Sequence, residues 1–411
     1  MRRNWLCDYT VLVLRLQKAI DAHTPYSPSE EYLPPEWYEQ VQHEPVHPAE
    51  ALLREAKALS ATVHQQHFEP QRTAYLAKHL RALETVSRRM LGEHFSLQEE
   101  VWRCFDLHVE WVPESIFEQA YTLYDEGLPG SGSIAERLQH WKASLTLPPE
   151  KAHVLPSFFQ RALTEARRRT QVLVPLPAEE HIEIQTITDQ PVRAVASYLG
   201  NYRSRILLNP NVPFPLTDLF YVLCHEGYPG HLAEAVLKDE ALIQQRGYLE
   251  QRVNLLYTPQ FVISEGLALL AHEMLFAPGE EEQWLAEQIY PEAGISPVHF
   301  DLRKIQQATD LLWGVWCNAA WLLSEGRPDA EVRSYLMRYA LMDEEAVSRA
   351  LASLHRPFHL TYTFTYFYGR RLLEPILQGS QRPRRLHQLL KEQLTPSDLN
   401  ERFFTEWKNE D

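Results

Sequence analysis

The sequence predicts a large, mainly α-helical protein with a small β-sheet beside one motif-bearing helix. Helical periodicity and capping patterns recur through the first 175 residues. Short alternating segments rich in β-branched residues follow between 181 and 209, which is typical of strands. We therefore expect an N-terminal helical region over 1–175 that forms one wall of a cleft. A second region over 176–411 carries the motif and forms one compact unit with the first.

The predicted helices of the N-terminal region begin at recognisable signals. Ser96 and Ser133 each stand three residues before a glutamate, the capping-box spacing that starts a helix. A proline-rich segment at 25–48 predicts a connecting surface loop after the first helix. The side chains predicted to face inward from that first helix are Leu12, Leu14, Leu16 and Ile20. The helices predicted after the connector cover 49–67, 70–92, 96–105, 113–127, 133–144 and a segment closed by 161–170.

The second region opens with strands and returns to helices. HIEIQTI at 181–187 alternates as a strand does, and 193–209 predicts two more strands around Gly200 and Asn201. SRILLN at 204–209 is a candidate edge strand onto which an extended peptide could pair, or an ordinary sheet edge. The helices predicted further on are the motif helix, 259–276, 299–324, 329–341, 343–354 and a last helix led in by the segment from 358.

The motif HEGYPGH places a glutamate between two histidines, inside a segment that otherwise favours a helix. The zinc-hydrolase signature H-E-x-x-H sets its histidines four residues apart, on one helix face. His225 and His231 are six residues apart, about 240° of rotation on a regular helix, so they could not meet at one metal ion. Pro229 and Gly230 cannot continue such a helix. We predict a bulge at 227–230 that returns His231 to His225; two unrelated histidines at a proline kink are the alternative.

Glu265 is the candidate third metal ligand. Zinc in a hydrolase typically has three protein ligands and one water molecule, and a carboxylate goes naturally with two histidines. Glu265 stands early in an apolar helix, where a charged side chain is costly unless it is paired or ligated. Gly266 beside it allows close approach by another element. The alternative is an acid that the helix dipole favours near the N-terminus of a helix.

Glu226 is the candidate general base. It is adjacent to His225, about 100° round the helix, so one side chain can face a metal ion and the other a water molecule. In this interpretation Glu226 takes a proton from the attacking water and passes it to the leaving amine. The histidines also need polar partners, and an oxyanion needs a donor. The candidates are Glu234, Glu250 and Asp310 for the first role and Tyr362, Tyr366 and Tyr368, with His359 and Arg370 near them, for the second.

Composition bears on partners and location. The formal net charge of −15 argues against nucleic acid and anionic membranes as partners. The N-terminal segment lacks the pattern of a signal peptide, and no stretch reaches the length of a membrane span. The four cysteines are scattered without a CxxC pair, which favours free thiols. We expect a cytoplasmic protein that acts on a peptide or small amide, and the oligomeric state stays open.

The paired motifs carry a family resemblance. HEGYPGH followed by SEGLALLAHE resembles the H-E-x-x-P-G-H and E-G-x-A-x-x-x-E motifs of the domain-of-unknown-function 885 family, which is placed among the gluzincin-like zinc metallopeptidases. LPGSGSIAERLQHW, EARRRT, YLGNYRSRILLN and the Tyr-x-x-Gly that begins at Tyr366 extend the resemblance over most of the chain. The family usually has E-G-W-A-L-Y where this chain has Leu267 and Leu270, and usually has His and Gln where Leu232 and Glu234 stand. These departures bear on substrate preference more than on metal binding.

The resemblance implies a zincin-like active-site helix and helices that wall a deep cleft. It implies His225, His231 and Glu265 as the ligands of one Zn²⁺ per chain and Glu226 as the general base. By analogy with related peptidases it also implies Tyr366 as the donor to the oxyanion. The leading hypothesis is a zinc metallopeptidase that cleaves short peptides. The alternatives are a metal-dependent hydrolase of a non-peptide amide or ester and a helical binding protein without turnover.

Overall fold

The chain folds into a large helical protein with a small sheet. The computed structural model describes residues 5–21, 35–188, 193–296 and 299–405. Across these ranges helices surround a three-stranded sheet, which confirms the predicted fold class. The helices that precede the sheet are α1 (Trp5–Asp21), α2 (Pro35–His43), α3 (Ala49–Thr62), α4 (Pro70–Met90), α5 (Leu97–Phe105), α6 (Glu114–Gly127), α7 (Ile134–Ser144) and α8 (Leu155–Leu173).

Most of these helices follow the predictions, and their caps give the reason. The Ser133 hydroxyl accepts the Glu136 amide at 3.3 Å, and the Glu136 carboxylate accepts the Ser133 amide at 3.1 Å. Ser96 accepts the Glu99 amide at 3.2 Å in the same way at the start of α5. The predicted loop at 25–48 is partly wrong, because α2 lies inside it. Its first part, up to residue 34, lies outside the described residues.

The sheet has the order β1-β3-β2, where β1 is His181–Thr186, β2 is Ala194–Gly200 and β3 is Arg203–Leu208. β2 and β3 form an antiparallel hairpin whose two turn residues, Asn201 and Tyr202, have positive φ, as short hairpin turns require. β1 pairs with the other side of β3 in parallel. The prediction of 204–209 as an edge strand is therefore wrong, because β3 is central and β2 forms an edge.

The helices after the sheet form the rest of the molecule. The predicted helix at 299–324 is two helices that meet at Leu312, and the tail contains several short helices instead of one. Their bounds are α9 (Leu219–Glu226), α10 (His231–Lys238), α11 (Gln260–Leu275), α12 (Glu280–Gln288), α13 (Tyr290–Ala293), α14 (Leu302–Leu311), α15 (Trp313–Ser324), α16 (Asp329–Tyr339), α17 (Glu344–Leu354), α18 (His359–Tyr362), α19 (Phe364–Leu373), α20 (Arg382–Lys391) and α21 (Pro396–Thr405).

Apolar side chains from both predicted regions share one core. Its members extend along the sequence from Trp5 in α1 to Leu399 in α21. The division at residue 175 stays a prediction. Within the described ranges no single helix is long and apolar enough to cross a membrane, and α11 with α12 reaches that length and composition only as a pair bent by 75°.

Two glycines let α11 and α19 cross in direct backbone contact. A Cβ atom on Gly266 would lie 2.5 Å from the carbonyl oxygen of Gly369. A Cβ atom on Gly369 would lie 2.2 Å from the carbonyl oxygen of Val262. The close approach predicted for Gly266 is therefore confirmed, and α19 is the partner. This crossing places the tyrosines around α19 next to Glu265.

Candidate metal centre

The motif breaks the helix in the way the six-residue spacing requires. The Gly230 amide donates to the Cys224 carbonyl at 3.0 Å, and the Ala233 amide donates to the Gly227 carbonyl at 3.1 Å. Each of these bonds spans six residues, where a regular α-helix spans four. Two residues are thus looped out, and His231 returns to the place that an i+4 residue would occupy. The predicted bulge is confirmed.

The looped-out residues are fixed by contacts outside the motif. The peptide bond between Tyr228 and Pro229 is cis. The Tyr228 side chain is buried, and its hydroxyl donates to the carboxylate of Glu180 at the start of the sheet. Glu180 also pairs with Arg167 on α8 at 2.5 Å. These contacts hold the bulge in one conformation between α9 and α10.

The bulge brings three potential ligand atoms together. The Nε2 atoms of His225 and His231 lie 3.2 Å apart. The Oε2 atom of Glu265 lies 3.4 Å from the first and 3.7 Å from the second. Ligand atoms at about 2.0–2.2 Å from a tetrahedral zinc ion stand about 3.3–3.6 Å from one another. The three residues therefore have the spacing and the donor types of a zinc site.

The buried carboxylate of Glu265 has one oxygen that a cation would satisfy. Its Oε1 atom accepts the Tyr362 hydroxyl at 2.5 Å. Among the described residues Oε2 has no hydrogen-bond partner, although Glu265 is only 5% exposed. Burial by itself raises the pKa of Glu265, but the charges of His231 and His225 outweigh it and the pKa is lowered. Burial likewise lowers the pKa of His225, and the Glu265 carboxylate outweighs it and raises that pKa.

A second layer of contacts orients His231. Its Nδ1 atom lies 2.9 Å from the hydroxyl of Ser264, which donates to Glu234 at 2.6 Å. Glu234 in turn pairs with Lys238 at 2.6 Å. Of the acids considered from sequence, Glu234 thus reaches the site through a serine that the sequence analysis missed. Histidine ligands of metals commonly have such partners on the second ring nitrogen.

The other two candidate acids have different positions. Glu250 is paired with Arg72 at 2.7 Å, in a contact between the turn at Leu249–Arg252 and α4. Asp310 accepts the hydroxyl of Tyr221 at 3.0 Å and pairs with Arg370 at 2.9 Å. Tyr221 lies one turn before the first motif histidine on α9, so Asp310 anchors the helix that carries this histidine. Burial raises the pKa of Asp310 to about 7.

The remaining candidates are Glu226 and the three tyrosines. Glu226 and Tyr366 line the same cavity as the three potential ligands. The Tyr366 ring stacks on Trp313 at 4.3 Å, which fixes its orientation. Tyr362 is bonded to the carboxylate of the triad, and the Tyr368 hydroxyl bonds the backbone of residue 110 at 2.9 Å. Tyr362 and Tyr366 both line the cavity, and the Tyr362 hydroxyl is the one engaged by Glu265.

Comparisons with known proteins extend the description of the fold. No family model matches the sequence, and no curated protein matches it. The fold is similar to a solved structure titled "putative lipoprotein from Colwellia psychrerythraea", with a TM-score of 0.54 and 15% identity over 96% of this chain and 70% of that one. A second structure, "a putative lipoprotein of unknown function from Shewanella oneidensis", has a TM-score of 0.46 and 12% identity over 94% of this chain and 83% of that one.

At 15% identity the similarity to the Colwellia structure concerns the fold alone. Neither title states an activity or a ligand. The resemblance to the domain-of-unknown-function 885 family and the cytoplasmic location both stay predictions.

The cavity around the triad has a volume of about 380 Å³, within the range usual for small-ligand sites. One wall is the β2 edge from Ala194 to Tyr198, and another includes the 251–254 segment. A further wall comes from Val13, Leu14 and Gln17 of α1. The contribution of α1 was missed from sequence, because its pattern indicates only that the helix is apolar.

Proposed function

We propose that the protein is a zinc-dependent metallopeptidase that cleaves short peptides, with one Zn²⁺ per chain held by His225, His231 and Glu265. The supporting observation is the convergence of these three side chains in a cavity that Glu226 also lines. A helical binding protein would not need an acid at that position. The motif resemblance to a family of zinc metallopeptidases supports the same proposal.

Each residue of the site has a role in this proposal. Zinc held by the triad would act as a Lewis acid that polarises a carbonyl group and acidifies water. Glu226 takes a proton from the attacking water and delivers it to the leaving amine, which is general acid–base catalysis. The Tyr366 hydroxyl donates a hydrogen bond to the carbonyl oxygen as negative charge develops there. Burial raises the pKa of Tyr366, so this hydroxyl keeps its proton at neutral pH.

The edge strand supports a peptide as the substrate. β2 lines the cavity from Ala194 to Tyr198 and pairs with β3 on one side. No second strand pairs with β2 among the described residues. The backbone amides and carbonyls of an edge strand can pair with an extended peptide. A non-peptide ester would make no use of this row of groups.

Replacing Glu226 by Gln tests the proposal directly. The amide cannot accept the proton, so we expect peptide hydrolysis to fall at least about 100-fold while zinc content is unchanged. Elemental analysis and a peptide cleavage assay measure the two quantities. Glu183→Gln changes an acid on β1 outside the cavity lining and is the matched control. It should keep both peptide hydrolysis and zinc content. Equal hydrolysis by the Glu226→Gln and unaltered proteins would exclude Glu226 as the base.

A substrate panel tests the peptide assignment separately. It compares free-ended peptides, end-blocked peptides and non-peptide amides and esters. Pairing with β2 uses the backbone of the substrate, so we expect peptides to be the better substrates. Cleavage confined to the non-peptide compounds would show a metal-dependent hydrolase of a different class.

A further inference from the structure

An apolar surface lines the cavity next to the candidate metal centre. Val13 and Leu14 of α1 contribute to it, and so do Leu256 and Phe261 from the start of α11 and the segment before it. We call these four residues the apolar wall. None of them takes part in the roles described above.

The apolar wall adjoins the position where a bond would be cleaved. Phe261 precedes Glu265 by four residues on α11, so the two side chains lie one turn apart on the same helix face. The Phe261 ring also lies 6.2 Å from the ring of Tyr362, whose hydroxyl bonds Glu265. A substrate held at the triad would therefore place a neighbouring side chain against this surface.

The helix α1 carries apolar residues on two faces. Leu12 and Leu16 are fully buried in the core, at 0% exposure. Val13 and Leu14 line the cavity, and Gln17 follows them one turn later. Val13 and Leu14 are themselves buried, at 3% and 6% exposure, so the part of each that reaches the cavity presents an apolar surface to whatever enters it.

The wall is preformed because α1 is anchored on its other sides. Arg15 pairs with Glu44 and Glu55, each at 2.8 Å. The ammonium group of Lys18 donates to three backbone carbonyls between residues 41 and 44. These contacts hold the helix against α2 and α3. A fixed apolar surface discriminates between side chains by the hydration they lose.

We propose that the apolar wall binds the side chain next to the cleaved bond, so that the preferred substrates are short peptides with a large apolar residue, such as Leu or Phe, at that position. This inference rests on the proposed function for the location of the cleaved bond. A glutamate or lysine at the same position would lose water against the apolar side chains of Leu14 and Phe261. Differences of one methylene in such pockets change specificity by about 10-fold or more.

Binding measured apart from turnover tests the wall. The probes are the end-blocked tripeptides Gly-Leu-Gly and Gly-Glu-Gly, and their affinities for the zinc-supplied Glu226→Gln protein are measured by calorimetry. We expect the leucine peptide to bind at least about 10-fold more tightly. Adding Leu14→Ala should weaken binding of the leucine peptide several-fold and leave the affinity for the glutamate peptide unchanged. Phe261→Ala, at a half-buried position, provides a second variant if Leu14→Ala does not fold.

Leu16→Ala is the matched control, because it makes the same change on the core face of the same helix. It should lower thermal stability and keep the ratio of the two affinities. Equal affinity for the two peptides would overturn the inference, and so would an equal loss of leucine-peptide binding in Leu16→Ala and Leu14→Ala.

Turnover by the unaltered protein separates this inference from the proposed function. Cleavage of both peptides with equal kcat/KM would overturn the proposed role of the apolar wall and leave the proposed metallopeptidase function in place. A 10-fold binding preference without cleavage of any peptide would support the wall and overturn the proposed function.

Discussion

Ser264 joins the candidate metal centre to α10 through Glu234. It bridges His231 and Glu234 with contacts of 2.9 and 2.6 Å. Removing the hydroxyl in Ser264→Ala should free the His231 ring and weaken zinc affinity by about 10–100-fold. Competition with a zinc-binding dye measures the change. Ser197→Ala, at another serine of the cavity lining, is the control and should keep the affinity.

Unchanged zinc affinity in Ser264→Ala would contradict this role and leave the serine as a packing contact. A loss of the same size in Ser197→Ala would show that the change acts through the cavity as a whole.

The oxyanion role is tested at Tyr366. Tyr366→Phe keeps the ring that stacks on Trp313 and removes the hydroxyl. We expect kcat to fall about 100-fold with zinc content and KM nearly unchanged, because the donor acts on charge that develops in the transition state. Tyr368→Phe is the control, since its hydroxyl bonds the backbone of residue 110. An equal kcat for Tyr366→Phe and Tyr368→Phe would exclude Tyr366 as the donor to the oxyanion.

The three potential ligands and the supporting acid Glu234 could be predicted from the sequence, but the serine between them could not. His225 and His231 could be singled out because they bracket a glutamate as in the zinc-hydrolase signature, and Glu265 because a charged side chain in an apolar helix is costly unless it is paired or ligated. Ser264 carries no such signal, because a serine beside an acid fits many helices. Its position opposite Glu234 depends on how α10 and α11 pack.

The wide turn between α9 and α10 depends on Gly230. A Cβ atom there would lie 2.0 Å from the carbonyl oxygen of His225 and 2.3 Å from that of Cys224. Gly230→Ala must therefore open the turn that returns His231 to the site. We expect loss of zinc binding and a drop in the free energy of unfolding of more than about 3 kcal/mol. Elemental analysis and denaturant unfolding measure the two effects.

Gly247→Ala provides a comparison at a turn where no atom lies within 4 Å of the added carbon. Its cost comes from the positive φ alone, and zinc content should stay at the level of the unaltered protein. A Gly230→Ala protein that keeps both zinc and stability would contradict the account of the bulge.

Elements whose shape is set by residues close together in the sequence were predictable. The bulge follows from Pro229 and Gly230, and the β2–β3 hairpin follows from Gly200 and Asn201. The order of the strands was not predictable, because β1 pairs with β3, the second strand of the hairpin, and not with β2, which follows β1 in the sequence. The break at Leu312 was missed because no proline or glycine occupies that position.

At the scale of the whole molecule, a buried acid makes stability depend on pH. Glu281 is 5% exposed and accepts the Gln306 amide at 3.3 Å, and burial raises its pKa to about 8. The folded state thus holds a proton that the unfolded chain releases near its ordinary pKa of about 4.3. The stability that this proton contributes is complete below that pH and is lost as the pH rises towards 8.

Glu281→Gln keeps the acceptor oxygen and removes the titration. We expect the variant to match the unaltered protein near pH 4.5 and to exceed its free energy of unfolding by about 1–4 kcal/mol at pH 8. Denaturant unfolding at the two pH values measures the difference. Glu287→Gln, at an exposed position of the same helix, should show no such trend. A pH-independent difference for Glu281→Gln would contradict the buried proton.

The zinc content of the purified protein beside that of His231→Ala tests whether His225, His231 and Glu265 form a metal site. Elemental analysis is made on both proteins as purified and again after zinc is supplied. We expect about one zinc per chain in the unaltered protein and its loss in the variant, because two ligands hold zinc far less well than three. Absence of zinc from both proteins after it is supplied would contradict the proposed metal site and leave HEGYPGH as a structural bend.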